Sequence, residues 1–148
     1  MKGHMRNYAD EVKRRAQDLM EQITKDRRAL HRFPEIGTDL PQTSAYIKKR
    51  LDEMGIEWKD CGGVLPEQMT KDFIEAGFPR MEKETGVTAV IGHGSPCILL
   101  RADMDALPVR EDNDLEFKSC NENGHMCGHD SHAAMLLGAA QILKDMED

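Results

Sequence analysis

Cys97-Ile98-Leu99-Leu100-Arg101-Ala102-Asp103-Met104-Asp105-Ala106-Leu107-Pro108 begins as an apolar run, ends in two carboxylates and is stopped by a proline. A strand with one wet face alternates apolar and polar residues. This run does not, so Cys97 to Met104 is expected to be a strand covered on both faces. Helical patterns on either side of it then imply an α/β layered fold, with helices packed on a mostly parallel or mixed sheet. In such sheets ligands bind at the carboxyl ends of strands, which singles out Asp103 and Asp105. Spacing alone is equally compatible with two aspartates that bond loop amides.

Upstream, Val12, Ala16, Leu19, Ile23 and Leu30 recur at helical spacing among charged residues and predict one long amphipathic helix from Tyr8 to His31. Pro34 and Gly37 break it. Asp39 with Gln42 three positions later resembles a capping box that opens a second helix with an Ile47, Leu51, Met54 stripe, and Gly55 closes that helix. A strand over Ile56 to Lys59 follows. Gly62-Gly63 signals a loop, Pro66 can start a short helix through Ala76, and Gly77 with Pro79 ends it, so residues 61–84 read as a helical insertion. Val87 to Ile91 forms the next strand, and Gly92 to Pro96 turns into the run quoted above.

Downstream, Ala133 to Lys144 is a helix apolar nearly all round, with Asp130 or Ser131 at its N-cap. Such a helix needs neighbours on every side. Two or three strands cannot surround it and also cover a strand on both faces, so the fold is expected to be incomplete without downstream strands.

Composition narrows the function. The 148 residues are 39% hydrophobic and 32% charged, as in an ordinary globular domain. Lys and Arg total 20 against 27 Asp and Glu, and the net charge of -7 disfavours nucleic acid and anionic membrane surfaces as partners. The Lys13, Arg14, Arg15 cluster and the Arg27, Arg28 pair alternate with acids and read as solvated helix faces. No run approaches the roughly 18 apolar residues of a membrane span, and Met1 to Asp10 has no apolar leader core, so a cytoplasmic location is expected. The cysteines at 61, 97, 120 and 127 form no CxxC pair, which suggests reduced thiols.

The second chemical constellation is Gly124-His125-Met126-Cys127-Gly128-His129-Asp130-Ser131-His132, with a thiol, three imidazoles and a carboxylate in nine positions. Thiolate and neutral imidazole suit zinc and its transition-metal neighbours, and Gly128 lets the backbone aim Cys127 and His129 at one centre. Cys127 and His129 are therefore the candidate metal ligands. His125 and His132, taken singly, read as surface histidines. A Cys-x-His pair supplies two ligands, too few for a closed site.

With Leu30-His31-Arg32-Phe33-Pro34-Glu35-Ile36-Gly37 added to Leu100–Pro108 and His125–Ala134, the chain resembles the M20 metallopeptidase family, in particular its amidohydrolase branch acting on N-acyl amino acids. Three separated motifs in the right order carry the resemblance over nearly the whole length. It implies that residues 1–148 are the N-terminal portion of a zinc-peptidase-like catalytic domain that holds two divalent metal ions (zinc, manganese, nickel or cobalt). Cys127 and His129 match metal ligands. Asp105 matches the acid that orients a ligand or tunes the metal. Asp103 stands where other branches carry a metal-binding His, and here it is expected to act behind a ligand at most. The implied reaction is hydrolysis of the amide bond of an N-acyl amino acid by metal-activated water, in a homo-oligomer.

The same resemblance places the general base, a Glu-Glu pair, together with two further His ligands and the lid domain, beyond Asp148. The isolated chain is thus expected to be inactive. Two alternatives stand beside this reading: an M20-type dipeptidase or aminopeptidase, against which the thiol ligand argues, and a non-catalytic metal-binding or interaction module.

Overall fold

The computed structural model describes residues 8–147. Residues 1–7, most of the stretch that shows no leader core, lie outside the described residues. The elements run α1 (Tyr8–Asp18), α2 (Met20–Arg32), α3 (Pro41–Glu53), β1 (Trp58–Cys61), α4 (Glu67–Glu75), β2 (Gly86–Ala89) and α5 (His129–Asp145). Helices and a small sheet make the α/β class expected from the sequence, but the sheet among the described residues is antiparallel where a mostly parallel or mixed one was expected. Among the described residues no helix is long and apolar enough to cross a membrane.

The first predicted helix is two. α1 and α2 meet at Leu19, which stays right-handed at φ -86° and ψ -4°. Its amide still bonds the Arg15 carbonyl at 3.0 Å, and its own carbonyl receives Ile23 N–H at 2.9 Å. The hydrogen-bond ladder therefore runs through the junction. α2 buries Asp26, Leu30 and His31, so two of its three buried side chains are polar.

The expected capping box at Asp39 is not formed. Leu40 is the N-cap of α3 and Pro41 opens it, leaving Gln42 and Thr43 with the first free amides. The Glu35 carboxylate accepts both, at 3.2 and 2.8 Å, because the chain turns back at Gly37 and brings Glu35 over the helix end. The other end behaves as read: Gly55 has φ +67° and Ile56 N–H bonds the Leu51 carbonyl at 2.9 Å. That closure drops Ile56 into the core beside Leu51, Met54 and Leu137.

β1 and β2 pair antiparallel, from Trp58 opposite Ala89 to Cys61 opposite Gly86. Between them the helical excursion is present, with Pro66 and Ala76 as the caps of α4. Its base is tied by Leu65 N–H to the Glu82 carbonyl at 2.9 Å and by Glu84 N–H to the Gly63 carbonyl at 2.8 Å.

The expected strand over Cys97–Met104 forms no ladder among the described residues. Ile98 is 82% exposed and Leu99 87%, so the run has the composition of a doubly covered strand without the cover. β1 and β2 pair with each other, and the described sheet has no third member to receive it.

α5 packs chiefly on α2. It buries Ala133, Ala134, Leu137, Gly138 and Ile142, while Met135 and Leu143 stay about half exposed, so it is apolar all round but covered on one side. A Cβ at Gly138 would lie 2.6 Å from Ile23 Cδ1, and the missing side chain is what allows the two helices to approach. α5 starts four residues earlier than predicted, with Gly128 as its N-cap in place of Asp130 or Ser131. This early start puts His129 and His132 three apart on the same helical face.

Candidate metal centre

Two tethers place the Asp103–Asp105 loop. Ala106 N–H bonds the Glu35 carbonyl at 2.7 Å, which makes a parallel bridge between Ile36 and Ala106. Leu107 and Gly124 exchange both backbone bonds at 3.0 Å. The first tether fastens the loop to the turn after α2, and the second fastens it to the segment that leads into α5. The carboxylates therefore arrive at the first turn of α5 without a paired strand behind them.

There His129 Nδ1 lies 2.8 Å from Asp105 Oδ1 and 3.1 Å from the Asp105 carbonyl oxygen. Two acceptors at one ring nitrogen make Nδ1 the proton carrier, leaving the Nε2 lone pair free. Nε2 faces Asp103 Oδ2 at 3.6 Å, and the His132 ring stacks on His129 with centroids 5.4 Å apart. Asp103, His129 and His132 each offer a donor atom within 4.8 Å of the others. Arg101 Nη1 holds the other Asp103 oxygen at 2.6 Å.

Of the residues singled out from sequence, Asp105 and His129 are thus in direct contact. Cys127 is exposed, and its thiol is not among the three gathered donors. His132, read as a surface histidine, joins the cluster, and its spacing of three from His129 was the available signal. His125 is not on the surface at all: it is 5% exposed, and neither ring nitrogen has a hydrogen-bond partner. Burial pushes its pKa down, against the pull of the Asp130 and Asp105 carboxylates.

Behind the donors lies a buried ionic network. Asp130, 1% exposed, meets His31 Nδ1 at 2.6 Å and pairs with Arg27 Nε at 2.9 Å through the same oxygen. His31 Nε2 lies 2.8 Å from Glu111 Oε1. Glu111 also accepts from Asn113 Nδ2 and from the Ser119 amide. Burial pushes the Glu111 carboxyl up, but its hydrogen bonds from His31, Ser119 and Asn113 outweigh that and hold it at about 2. Phe117 covers the network, edge-on to His31 at 5.7 Å and under the Arg27 and Arg28 guanidinium groups at 5.2 and 4.8 Å. Arg27 and His31 are four apart on α2, so their shared face was readable, while their partners 80 to 100 residues away were not.

The arrangement suits a divalent cation. An imidazole that donates Nδ1–H to a carboxylate presents Nε2 in a fixed direction and with raised basicity. The adjoining carboxylate and second imidazole are further donors of the kind zinc and manganese accept.

Residues 99–148 match the sequence profile of Peptidase family M20/M25/M40. IAA-amino acid hydrolase ILR1-like 5 of Arabidopsis thaliana is 36% identical over 145 residues, 97% of this chain and 28% of that protein. An uncharacterized hydrolase of Staphylococcus aureus (strain USA300) is 39% identical over 131 residues, 87% of this chain and 29% of the relative. The crystal structure of the Bacillus subtilis YXEP protein, described as a dinuclear metal binding peptidase from the M20 family, superposes with a TM-score of 0.67 at 30% identity, covering 88% of this chain and 32% of that one. The chain therefore spans less than a third of the length of each of these proteins.

Proposed function

We propose, from the premise that the chain belongs through residues 99–148 to the M20 peptidase family, that it supplies one side of a dinuclear metal centre in an N-acyl-amino-acid amidohydrolase. The observation that carries this reading is the 2.8 Å contact between Asp105 and His129 Nδ1. It is the carboxylate–imidazole pairing by which proteins aim a histidine at a metal. His129 is the ligand and Asp105 the residue that positions it. Cys127 is the second ligand by resemblance, while Asp103 and His132 are the donors gathered with His129. The hydrolase name of the Arabidopsis relative and the dinuclear site named for the Bacillus protein support the substrate class and the two ions.

A bound pair of divalent ions supplies an activated water and polarises the scissile carbonyl. The work of this chain is to hold the donors. Asp105 fixes the tautomer and direction of His129, and the Leu107–Gly124 bridge fixes Asp105 relative to α5. Asp130, locked by His31 and Arg27, pins the first turn of α5 one residue beyond the ligand. The general base and the remaining ligands belong to segments that this chain does not contain. The activity is accordingly that of a longer polypeptide in which residues 61–84 are a helical insertion.

Metal titration of the 148-residue chain by calorimetry, with zinc and manganese, tests the ligand assignment. Uptake is expected to weaken by roughly tenfold or more in His129→Ala and by roughly tenfold in Asp105→Asn, the range seen when a residue that orients a ligand is lost. Cys127→Ser decides between the thiol and the Asp103–His132 pair as second donor. Uptake indifferent to His129 would refute the reading.

A further inference from the structure

We propose that the excursion between β1 and β2 forms an apolar wall of the substrate site, with Phe73 and Phe78 selecting the size of the acyl group. This rests on the amidohydrolase reading above. An open groove of about 380 Å³ is lined by Leu40, Phe73, Phe78 and Met81 together with Glu84, Arg101, Asp103 and Asp105. Its volume falls in the range of roughly 300–1,000 Å³ occupied by small-molecule sites. The carboxylates that face His129 and the apolar Leu40, Phe73, Phe78 and Met81 thus line one groove.

Hydrogen bonds tie the two sets of lining residues to one turn. The turn between α2 and α3 itself lines the groove through Gly37, Thr38 and Leu40. On one side its Glu35 carbonyl holds Ala106, next to Asp105. On the other, Thr38 N–H donates to Met81 Sδ at 3.2 Å, and the Thr38 carbonyl accepts Thr85 N–H at 2.9 Å. Met81 is 2% exposed and fits because residue 37 has no side chain: a Cβ at Gly37 would lie 2.0 Å from its sulfur. Thr70 Oγ1 donates to the Met81 carbonyl at 3.0 Å and anchors α4 to the same point. The excursion is therefore docked on the turn that also carries the Asp105 loop.

The docking is done by Thr70, Leu65 and Met81, which are buried, and leaves Phe73 half-buried and Phe78 exposed. Phe73 and Phe78 contact each other edge to face at 6.1 Å, and Phe78 remains 45% exposed. An exposed ring on a half-buried one, in a groove also lined by a metal-positioning carboxylate, favours an apolar occupant, because covering Phe78 returns burial energy that the free protein lacks. In an N-acyl amino acid bound with its carbonyl near His129, the variable apolar part next to that carbonyl is the acyl chain.

The test uses the longest natural polypeptide that carries this segment. Values of kcat/KM are measured for N-acetyl and N-benzoyl derivatives of one amino acid, in the parent and in Phe73→Ala and Phe78→Ala. The benzoyl substrate is expected to lose roughly tenfold or more and the acetyl substrate about twofold at most, the asymmetry of a lost hydrophobic contact. Phe78→Leu, which keeps the apolar surface, is expected to fall between. Equal losses on both substrates, or none on either, would overturn the proposal. If the parent cleaves neither substrate, the amidohydrolase reading fails by itself, and the wall is then judged by binding of N-benzoylglycine in ligand-observed NMR. Binding that is lost in Phe78→Ala supports the wall; no binding, or binding that the variant keeps, overturns it.

Discussion

Glu111 gives a prediction whose size follows from its surroundings. Its carboxylate has a side chain only 4% exposed and accepts from His31 Nε2, from Asn113 Nδ2 and from the Ser119 amide. In Glu111→Gln one oxygen becomes an NH₂ group, so at least one of these donors faces another donor. An unmet buried hydrogen bond costs about 1–3 kcal/mol, and the charge assistance is lost as well. The carboxyl is held at about 2 against an ordinary value of 4.5, which after solvent screening corresponds to about 2 kcal/mol of preference for the charged form in the folded state. Both routes give a loss of about 2–3 kcal/mol at neutral pH. The sign is that of a depressed acid: the contribution is complete above the unfolded value of 4.5 and disappears as pH falls through the folded value of about 2. Urea unfolding of the 148-residue chain can be followed by Trp58, its only tryptophan, whose indole donates to Asp52 at 2.7 Å. The parent is expected to lose about 2–3 kcal/mol more than the variant between roughly pH 5 and pH 2. A variant within about 0.5 kcal/mol of the parent at neutral pH, or with the same acid slope, would refute this account of the network.

Asp130→Ala removes the carboxylate common to His31 and Arg27, leaving the largely buried His31 ring without its Nδ1 partner, and is expected to cost about 3–5 kcal/mol by denaturant melts. The double variant with His31→Ala should cost clearly less than the sum of the two single changes; strict additivity would count against direct coupling. Gly37→Ala puts a Cβ into the Met81 sulfur at a residue with φ +78°, and a loss of at least about 1–3 kcal/mol is expected, with increased protease cutting in residues 61–84; an unchanged melting midpoint would contradict the docking described.

The parts of the fold legible in the sequence are those decided within a few residues. Pro66 and Ala76 bound α4 as read, and Gly55 ends α3 as read, because turn chemistry and helical periodicity act locally. The cap of α3 departs from the sequence expectation for a non-local reason: Asp39 has the right residue type at the right spacing, but a turn at Gly37 delivers Glu35 from outside the motif. His31, Glu111 and Asp130 illustrate the same limit over 80 to 100 residues, where only the Arg27–His31 spacing announced a shared polar face.

The run Cys97–Leu100 shows the other side of this. Its composition records the environment to which a strand is adapted, two covered faces, and exposing Ile98 and Leu99 forgoes roughly 1.5–3 kcal/mol for each side chain. The carboxylates that follow are nevertheless in place, because their position depends on Ala106 held by Glu35 and Leu107 held by Gly124, and on no strand pairing upstream. Site and sheet are thus separable in this chain. The loop that aims His129 is fixed by bonds made within the described residues, whereas the strand that leads into it calls for neighbours that those residues do not supply.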